Sequence, residues 1–301
     1  MAEVFVLGSI NQDFVLKVDR RPQPGETVTN AELSTHNGGK GANQAAAAAL
    51  LGASVTFLGR VGDDEFGEPL VQALGEKGID TSLIERASDA STGAAFITVT
   101  PDGENAITVA PGANRSLTPQ EVDAASGAIG NARVLVAQME IPVETVLRAV
   151  GVASERGTRA LVNLAPTFEV PGELLERLDP LVVNEHEAAF LLGSEVEGVD
   201  GTLSAALELL SLGPRSAVIT IGEAGAVFAD GESVEHLLAP KVEVVDTTGA
   251  GDAFVGALAT CLARGASLEQ AVAYAVRAGA AAVTREGAQG ALPTPEVVEA
   301  L

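Results

Sequence analysis

Asp246-Thr247-Thr248-Gly249-Ala250-Gly251-Asp252 is a glycine-rich turn. It lies between an apolar run (Val242, Val244, Val245) and a stretch of helix formers from Ala253 to Ala263. A turn that feeds a helix start leaves unpaired backbone N–H groups around one point, and the helix dipole adds positive potential there. That suits an anion. Asp252 opposes an anion unless the site also takes a proton from a nucleophile attacking a phosphoryl group. The stretch therefore predicts phosphoryl transfer. Asp252 is the candidate base, a role worth roughly 10²–10⁴ in rate, and the N–H groups of Gly249, Ala250 and Gly251 form the anion hole. Taken alone, the turn equally suits a plain helix start whose aspartate steadies the dipole.

Outward from this turn, buried strands and helices alternate. Apolar runs at Val4–Leu7, Val55–Leu58, Val134–Ala137, Ala160–Leu164, Leu181–Val183 and Ala217–Ile221 read as strands. Val143, Val146, Leu147 and Val150 follow helical spacing, as do Leu268, Ala271, Val272, Ala275 and Val276. Thr118-Pro119-Gln120-Glu121 and Ser267 with Gln270 are helix-start capping boxes. The pattern predicts an α/β fold: a doubly wound, mostly parallel central sheet flanked by helices. Two regions depart from it, about 12–37 and 92–110, where short alternating strands meet turn residues (Pro22, Pro24, Gly25; Pro101, Asp102, Gly103). They read as antiparallel ribbons of a small projecting β-sheet, a lid or an oligomer contact. No linker divides the chain, so residues 1–301 are expected to form one domain.

Four other stretches carry candidate chemistry. Gly38-Gly39-Lys40-Gly41-Ala42-Asn43-Gln44 precedes an alanine-rich helix. It is not a Walker A loop, because Ser34 stands where that loop needs glycine and Gly41 where it needs Ser or Thr. Its glycines permit close backbone approach, and Lys40 and Asn43 suit hydroxyls. Asn11 and Asp13 follow the first strand, where α/β sheets bind ligands; Asx-turns would use the same residues. Asn184-Glu185-His186-Glu187 reads as a capping box or as polar groups beside a magnesium–phosphate unit. Thr220-Ile221-Gly222-Glu223-Ala224-Gly225 is a strand end and turn able to host a nucleotide. The three histidines are scattered, and no Cys/His spacing suggests zinc.

Composition narrows the classes. Hydrophobic residues make up 47% of the 301 residues and net charge is −23. Such acidity argues against nucleic acid and anionic membranes as partners and requires local donors and metal ions for any polyanionic ligand. No apolar stretch reaches the roughly 18–20 residues that span a bilayer. The N-terminal segment lacks a secretory pattern. The single cysteine, Cys261, reads as a buried small hydrophobe. These features point to the cytoplasm.

The two long glycine motifs, Gly38 to Ala45 followed by Leu51-Gly52, and Asp246 to Phe254 followed by Gly256, resemble those of the ribokinase-like carbohydrate kinase family. The order of the remaining pieces extends the resemblance along the whole chain. Gly8-Ser9-Ile10-Asn11-x-Asp13, Lys40 and Met139-Glu140 are most similar to its ribose-acting branch. The resemblance implies ATP-dependent phosphorylation of the primary hydroxyl of D-ribose to D-ribose 5-phosphate. It implies sugar contacts at Asn11, Gln12, Asp13, Gly39, Lys40, Gly41, Ala42, Asn43, Glu140 and Asp252. Asn11, Asp13, Asn43 and Glu140 suit neutral hydroxyls and repel a second phosphate. Nucleotide contacts are implied at Asn184, Thr220, Ile221, Gly222, Glu223, Ala224, Gly225, Gly251 and Val276. Val276 stands where some relatives carry a histidine beside the adenine, which leaves apolar packing to hold the base.

The resemblance also implies Mg2+, organised indirectly by Glu187. It implies K+ near Asp246, Thr248, Ala282, Arg285, Gly287 and Ala291, where Ala291 offers only its carbonyl. A homodimer formed through the lid strands is implied as well. The alternatives are a relative acting on deoxyribose, a nucleoside or another sugar, a sugar-binding protein without turnover, and a nucleotide-dependent sensor.

Overall fold

A computed structural model describes residues 3–102, 105–231 and 233–301. The first strands are β1 (Val4–Leu7), β2 (Asn11–Lys17), β3 (Glu32–Gly38), β4 (Val55–Gly62) and β5 (Asp80–Ala87). There follow β6 (Gly93–Val99), β7 (Asn105–Ala110), β8 (Val134–Gln138) and β9 (Arg159–Asn163). The last are β10 (Leu181–Asn184), β11 (Ala217–Thr220), β12 (Ala226–Ala229) and β13 (Val234–Leu237).

Nine strands form the central sheet in the order β13-β12-β11-β10-β9-β8-β1-β4-β5. Pairing is parallel from β11 through to β5. The two edge strands β12 and β13 are antiparallel. Along β1, Val4 and Val6 face one core, while Phe5 and Leu7 face the other. This period of two, with both faces apolar, makes the strand runs continuously hydrophobic and legible. The first core receives the helices Lys40–Leu50, Ala250–Ala263 and Leu268–Ala282; the second receives Val143–Arg156 and Gly198–Ser211.

The expected doubly wound sheet is therefore present, with three strands that the sequence reading passed over. β5 is mixed polar and half-exposed, and β12 and β13 follow a tight turn after β11. The apolar Val242–Val245 run forms no strand, and Val244 and Val245 are exposed. Cys261 is half-buried rather than fully enclosed.

The small sheet has the order β3-β2-β6-β7. Each expected ribbon is antiparallel, β2 with β3 and β6 with β7. The joint between them, β2 with β6, is parallel. Its register starts at Asn11 opposite Gly93, so the lid strands begin directly at the body. Pro101 and Asp102 form the expected turn, while Gly103 lies outside the described residues, as does Met1.

Two helices carry the glycine motifs and press together. A Cβ on Gly256 would sit 2.5 Å from Ala47 Cβ and 2.8 Å from the Gln44 carbonyl oxygen. Alanines and glycine at this crossing let the two backbones approach closely. Both expected helix starts are realised: Thr118 with Glu121, and Ser267 with Gln270. Each cap is worth about 1 kcal/mol.

Candidate active site

The carboxyl ends of the central strands present a row of polar side chains: Gln138 closes β8, Asn163 β9, Asn184 β10 and Thr220 β11. In open α/β sheets this edge is where ligands bind. Both glycine motifs arrive there. Gly249 takes φ 77° as it opens the Ala250–Ala263 helix, and Gly39 takes φ 89° as it opens the Lys40–Leu50 helix. A Cβ at Gly39 would lie 2.8 Å from both the Ser9 carbonyl oxygen and the Asn11 nitrogen. Only glycine combines that backbone with that proximity.

Asp252 sits in the first helical turn, 8% exposed. Asn43 Nδ2 donates to its Oδ2 at 2.9 Å, and Gln44 Nε2 donates to its Oδ1 at 3.0 Å. It lines a cavity of about 140 Å³ with Lys40, Asn163, Asn184, Glu187, Gly249 and Gly251. Burial pushes its pKa up; Lys40, Asn43 and Gln44 pull it down, and Glu140 raises it again. Burial pulls Lys40 down, but Asp252, then Glu140 and Glu187, more than offset this and leave it above its ordinary value. Of the expected amide trio, Gly249 and Gly251 line the cavity, while the Ala250 N–H turns back to the Thr247 carbonyl at 3.3 Å.

The sugar-motif residues divide by what already engages them. Asn11 is buried, and its Oδ1 accepts from Asn114 Nδ2 at 2.8 Å, so its own amide N–H groups remain to donate. Asp13 lies over Gly38, which has no room for a Cβ beside that carboxylate. Burial, then Glu140 and Asp252, raise Asp13 to about 7. Glu140 Oε2 accepts from Ser9 Oγ at 2.5 Å and from the Lys40 N–H at 3.1 Å, which ties the start of the helix to the end of β8.

Three of the residues expected to touch sugar are bonded within the protein. Gln12 lies on the opposite face of β2 from Asn11 and Asp13, and its amide donates to the His36 carbonyl. The N–H groups of Gly41 and Ala42 are engaged by Ser9, through its hydroxyl and its carbonyl.

A second cavity of about 910 Å³ opens beside the first, and Thr220, Gly251 and Phe254 border both. Gly222, Glu223, Ala224, Gly225 and Val276, the residues expected to touch a nucleotide, line it, together with Lys241 and Val242 from a segment outside the expected site. Ile221 is not in its wall: it is buried, with its N–H on the Gly225 carbonyl. Asn184 and Glu187 form the expected capping box, with both bonds at 2.8 Å. Burial raises the Glu187 pKa, against the pull of the Asn184 N–H, Lys40 and His186.

Asp246 gathers part of the loop for which a potassium ion was expected. Its Oδ1 accepts from the Thr248 N–H at 2.9 Å and hydroxyl at 2.6 Å, and its Oδ2 from the Gly287 N–H at 2.8 Å. Burial raises its pKa, but the Thr248 hydroxyl, the Gly287 and Thr248 N–H groups and Lys17 outweigh it and keep the pKa low. The Ala282 carbonyl accepts from the Arg285 N–H at 3.4 Å and the Ala291 N–H meets the Ala288 carbonyl at 3.4 Å, so each pair closes its own short turn.

Gln44, Gln138, Asn163, Asn114 and Gln289 were missed as site residues. Gln44 stood inside the quoted motif. The others sit at strand ends (Gln138, Asn163), in a short 3-10 turn (Asn114) or in a loop (Gln289), with no local signature to mark them.

The pfkB family carbohydrate kinase model matches residues 1–295. A ribokinase from Staphylococcus aureus is 39% identical over 298 residues, covering 98% of both chains. A bifunctional ribokinase/ribose-5-phosphate isomerase A from Fructilactobacillus sanfranciscensis is 41% identical over 302 residues, and this chain spans 56% of its length. The structure of an Arabidopsis thaliana ribokinase complexed with ribose and ATP superimposes with a TM-score of 0.91 at 29% identity, covering 99% of this chain and 98% of that one. With its two glycine motifs meeting at the carboxyl edge of the sheet, the chain belongs to the pfkB family of carbohydrate kinases.

Proposed function

We propose that this kinase transfers the γ-phosphoryl group of ATP to the primary hydroxyl of D-ribose, giving ADP and D-ribose 5-phosphate. The observation that carries the reading is the position of Asp252. It is a buried carboxylate held by two amides at a helix start, between the hydroxyl-binding motif and the larger cavity. Asn11, Asp13, Lys40, Asn43 and Glu140 orient the sugar, and Gly39 supplies the close backbone approach. Asp252 takes the hydroxyl proton as that oxygen bonds to the γ-phosphorus. The bond from phosphorus to the bridging oxygen breaks, and ADP leaves. Gly249 and Gly251 steady the charge on the transferring group. Thr220, Gly222 to Gly225 and Val276 hold the nucleotide, and Asn184 sits at the phosphate end.

Among the described residues no group of three or more His, Cys, Asp or Glu forms a metal cage. That fits magnesium held chiefly by phosphates and water, with Glu187 organising the water. Bound magnesium supplies neutralisation of the phosphate charge. The all-oxygen set at Asp246, Thr248 and the carbonyls of Ala282, Arg285, Gly287 and Ala291 fits potassium, which would stiffen the Gly249 turn.

Leu33 and Ile107 on the small sheet are 61% and 57% exposed, which supports a homodimer through the lid. We read the chain as one working domain. No helix among the described residues is long and apolar enough to cross a membrane. A cytoplasmic site of action is supported by the lone cysteine.

The test is ADP formation with ATP, magnesium and potassium across pentoses, hexoses and nucleosides, with Asp252→Asn as control. Ribose is expected to give the highest kcat/KM. The variant is expected to lose at least two orders of magnitude in turnover while still binding sugar. Near-normal turnover in it removes Asp252 as base, and preference for another acceptor removes ribose.

A further inference from the structure

Asp252 is the meeting point of two amide chains. In one, Gln289 Nε2 donates to Asn43 Oδ1 at 3.1 Å, and Asn43 Nδ2 donates to Asp252 Oδ2 at 2.9 Å. In the other, Gln138 Nε2 donates to Gln44 Oε1 at 2.7 Å, and Gln44 Nε2 donates to Asp252 Oδ1 at 3.0 Å. Gln44 Nε2 also reaches Asn163 Oδ1 at 3.1 Å.

An ionised carboxylate only accepts hydrogen bonds. It therefore sets the direction of every amide in both chains. Asn43 and Gln44 must turn their NH2 groups toward Asp252, and their oxygens then face outward to receive an NH2 group from Gln289 and Gln138. The outer residues keep their own oxygens at the far ends. Gln138 Oε1 and Gln289 Oε1 are buried atoms with no hydrogen-bond partner among the described residues. Turning either amide over would face two oxygens at its inner neighbour. Gln138 is further fixed by Gly8, where no Cβ would fit beside its oxygen. Orphaned amide oxygens are unfavourable by themselves and persist where the rest of a network over-determines them.

We propose that Gln138 and Gln289 are positioning residues that hold Asp252 ionised and aimed, acting through Gln44 and Asn43. The inference rests on Asp252 being the base. Neither glutamine lines the cavity around Asp252. The charged groups facing that carboxylate are Lys40 from the neighbouring helix, Glu140 after β8 and Asp13 on β2, with Glu187 acting on Lys40. Without Gln289, the Asn43 amide is free to present its oxygen to Asp252, which favours the protonated acid; without Gln138, the Asn163 oxygen is what still holds the Gln44 NH2 group inward, so that branch loosens less.

The experiment measures kcat and sugar KM from pH 5 to 9 for Gln138→Met and Gln289→Met, with nucleotide and potassium salt held constant. Methionine keeps the volume and removes the donor. The acid limb of kcat should move up by about half to one pH unit, with activity recovering at high pH. Gln138→Glu and Gln289→Glu, which introduce an acceptor in the donor's place, should shift it further. An unmoved acid limb in folded Met variants, or a loss of the same factor at every pH, overturns the proposal. Should Gln138→Met fail to fold, Gln289→Met decides alone. Should Asp252→Asn retain turnover, the base assignment fails instead, and the two failures are distinct.

Discussion

Asn43 and Asp252 share a 2.9 Å hydrogen bond across 209 residues of sequence, from the side-chain Nδ2 of one to Oδ2 of the other. The bond joins the two glycine motifs into one site. It also makes the amide of Asn43 a donor at a place where a second carboxylate would be intolerable. Asn43→Asp puts two carboxylates at hydrogen-bond distance, and both cannot ionise together near neutral pH. The variant should lose about 100-fold or more in kcat/KM at pH 7, with partial recovery toward high pH. A pH–rate profile parallel to that of the parent would refute this.

Asp13 links the sugar site to stability. Its folded pKa is raised to about 7 by burial, then by Glu140 and Asp252, against 3.8 for the free group. The folded state therefore binds this proton more tightly than the unfolded chain does. Its favourable contribution is complete below about pH 4 and is lost as pH climbs through 7. Asp13→Asn removes that loss. In ligand-free protein the variant should gain on the parent between pH 5 and pH 8, by on the order of 2 kcal/mol, while binding sugar more weakly. Thermal melts at the two pH values check the first half, and sugar titration the second. An equal melting difference at both pH values would count against the buried, proton-holding Asp13.

The cation loop predicts an ion preference. Asp246 is ionised and clasps Gly287 and Thr248, and on the proposed potassium reading the loop takes a large, weakly hydrated ion that accepts carbonyl ligands in place of water. Replacing potassium by sodium at constant ionic strength should reduce turnover several-fold, a difference of about 1 kcal/mol. Equal rates in the two salts would remove the site.

The small sheet predicts an oligomer. Ile107 on β7 and Leu33 on β3 expose apolar side chains at opposite edges of its four strands. Ile107→Glu should shift the protein from dimer to monomer in light scattering and leave the melting temperature of the main body nearly unchanged. A parent protein that is already monomeric at micromolar concentration would end the proposal.

The sequence was most readable where local chemistry and tertiary role coincide. The turn at Gly249 shows its purpose through Asp252, and Gly39-Lys40 through its glycines. The parallel strands, buried on both faces, appear as plain apolar runs. β5 was missed because one side faces solvent, and its Asp80, Glu85 and Arg86 break the apolar pattern. The parallel joint between β2 and β6 was missed because pairing between distant ribbons leaves no local trace. Gln138 and Gln289 were missed for the same reason: each reaches the site through one side-chain hydrogen bond to a residue far away in sequence. Gln12 stands apart from its neighbours because adjacency to Asn11 and Asp13 in sequence means opposition across a strand.

The close approach of Gly256 to Ala47 and Gln44 has a consequence for the spacing of the site. Asp252 and the Gly39-Lys40 turn ride at the tips of two rods clamped with no spacer between them. The gap available to the reacting atoms is gauged by methyl-sized contacts deep in the interior. A larger side chain at those inner positions would push the rods apart and move the tips with them.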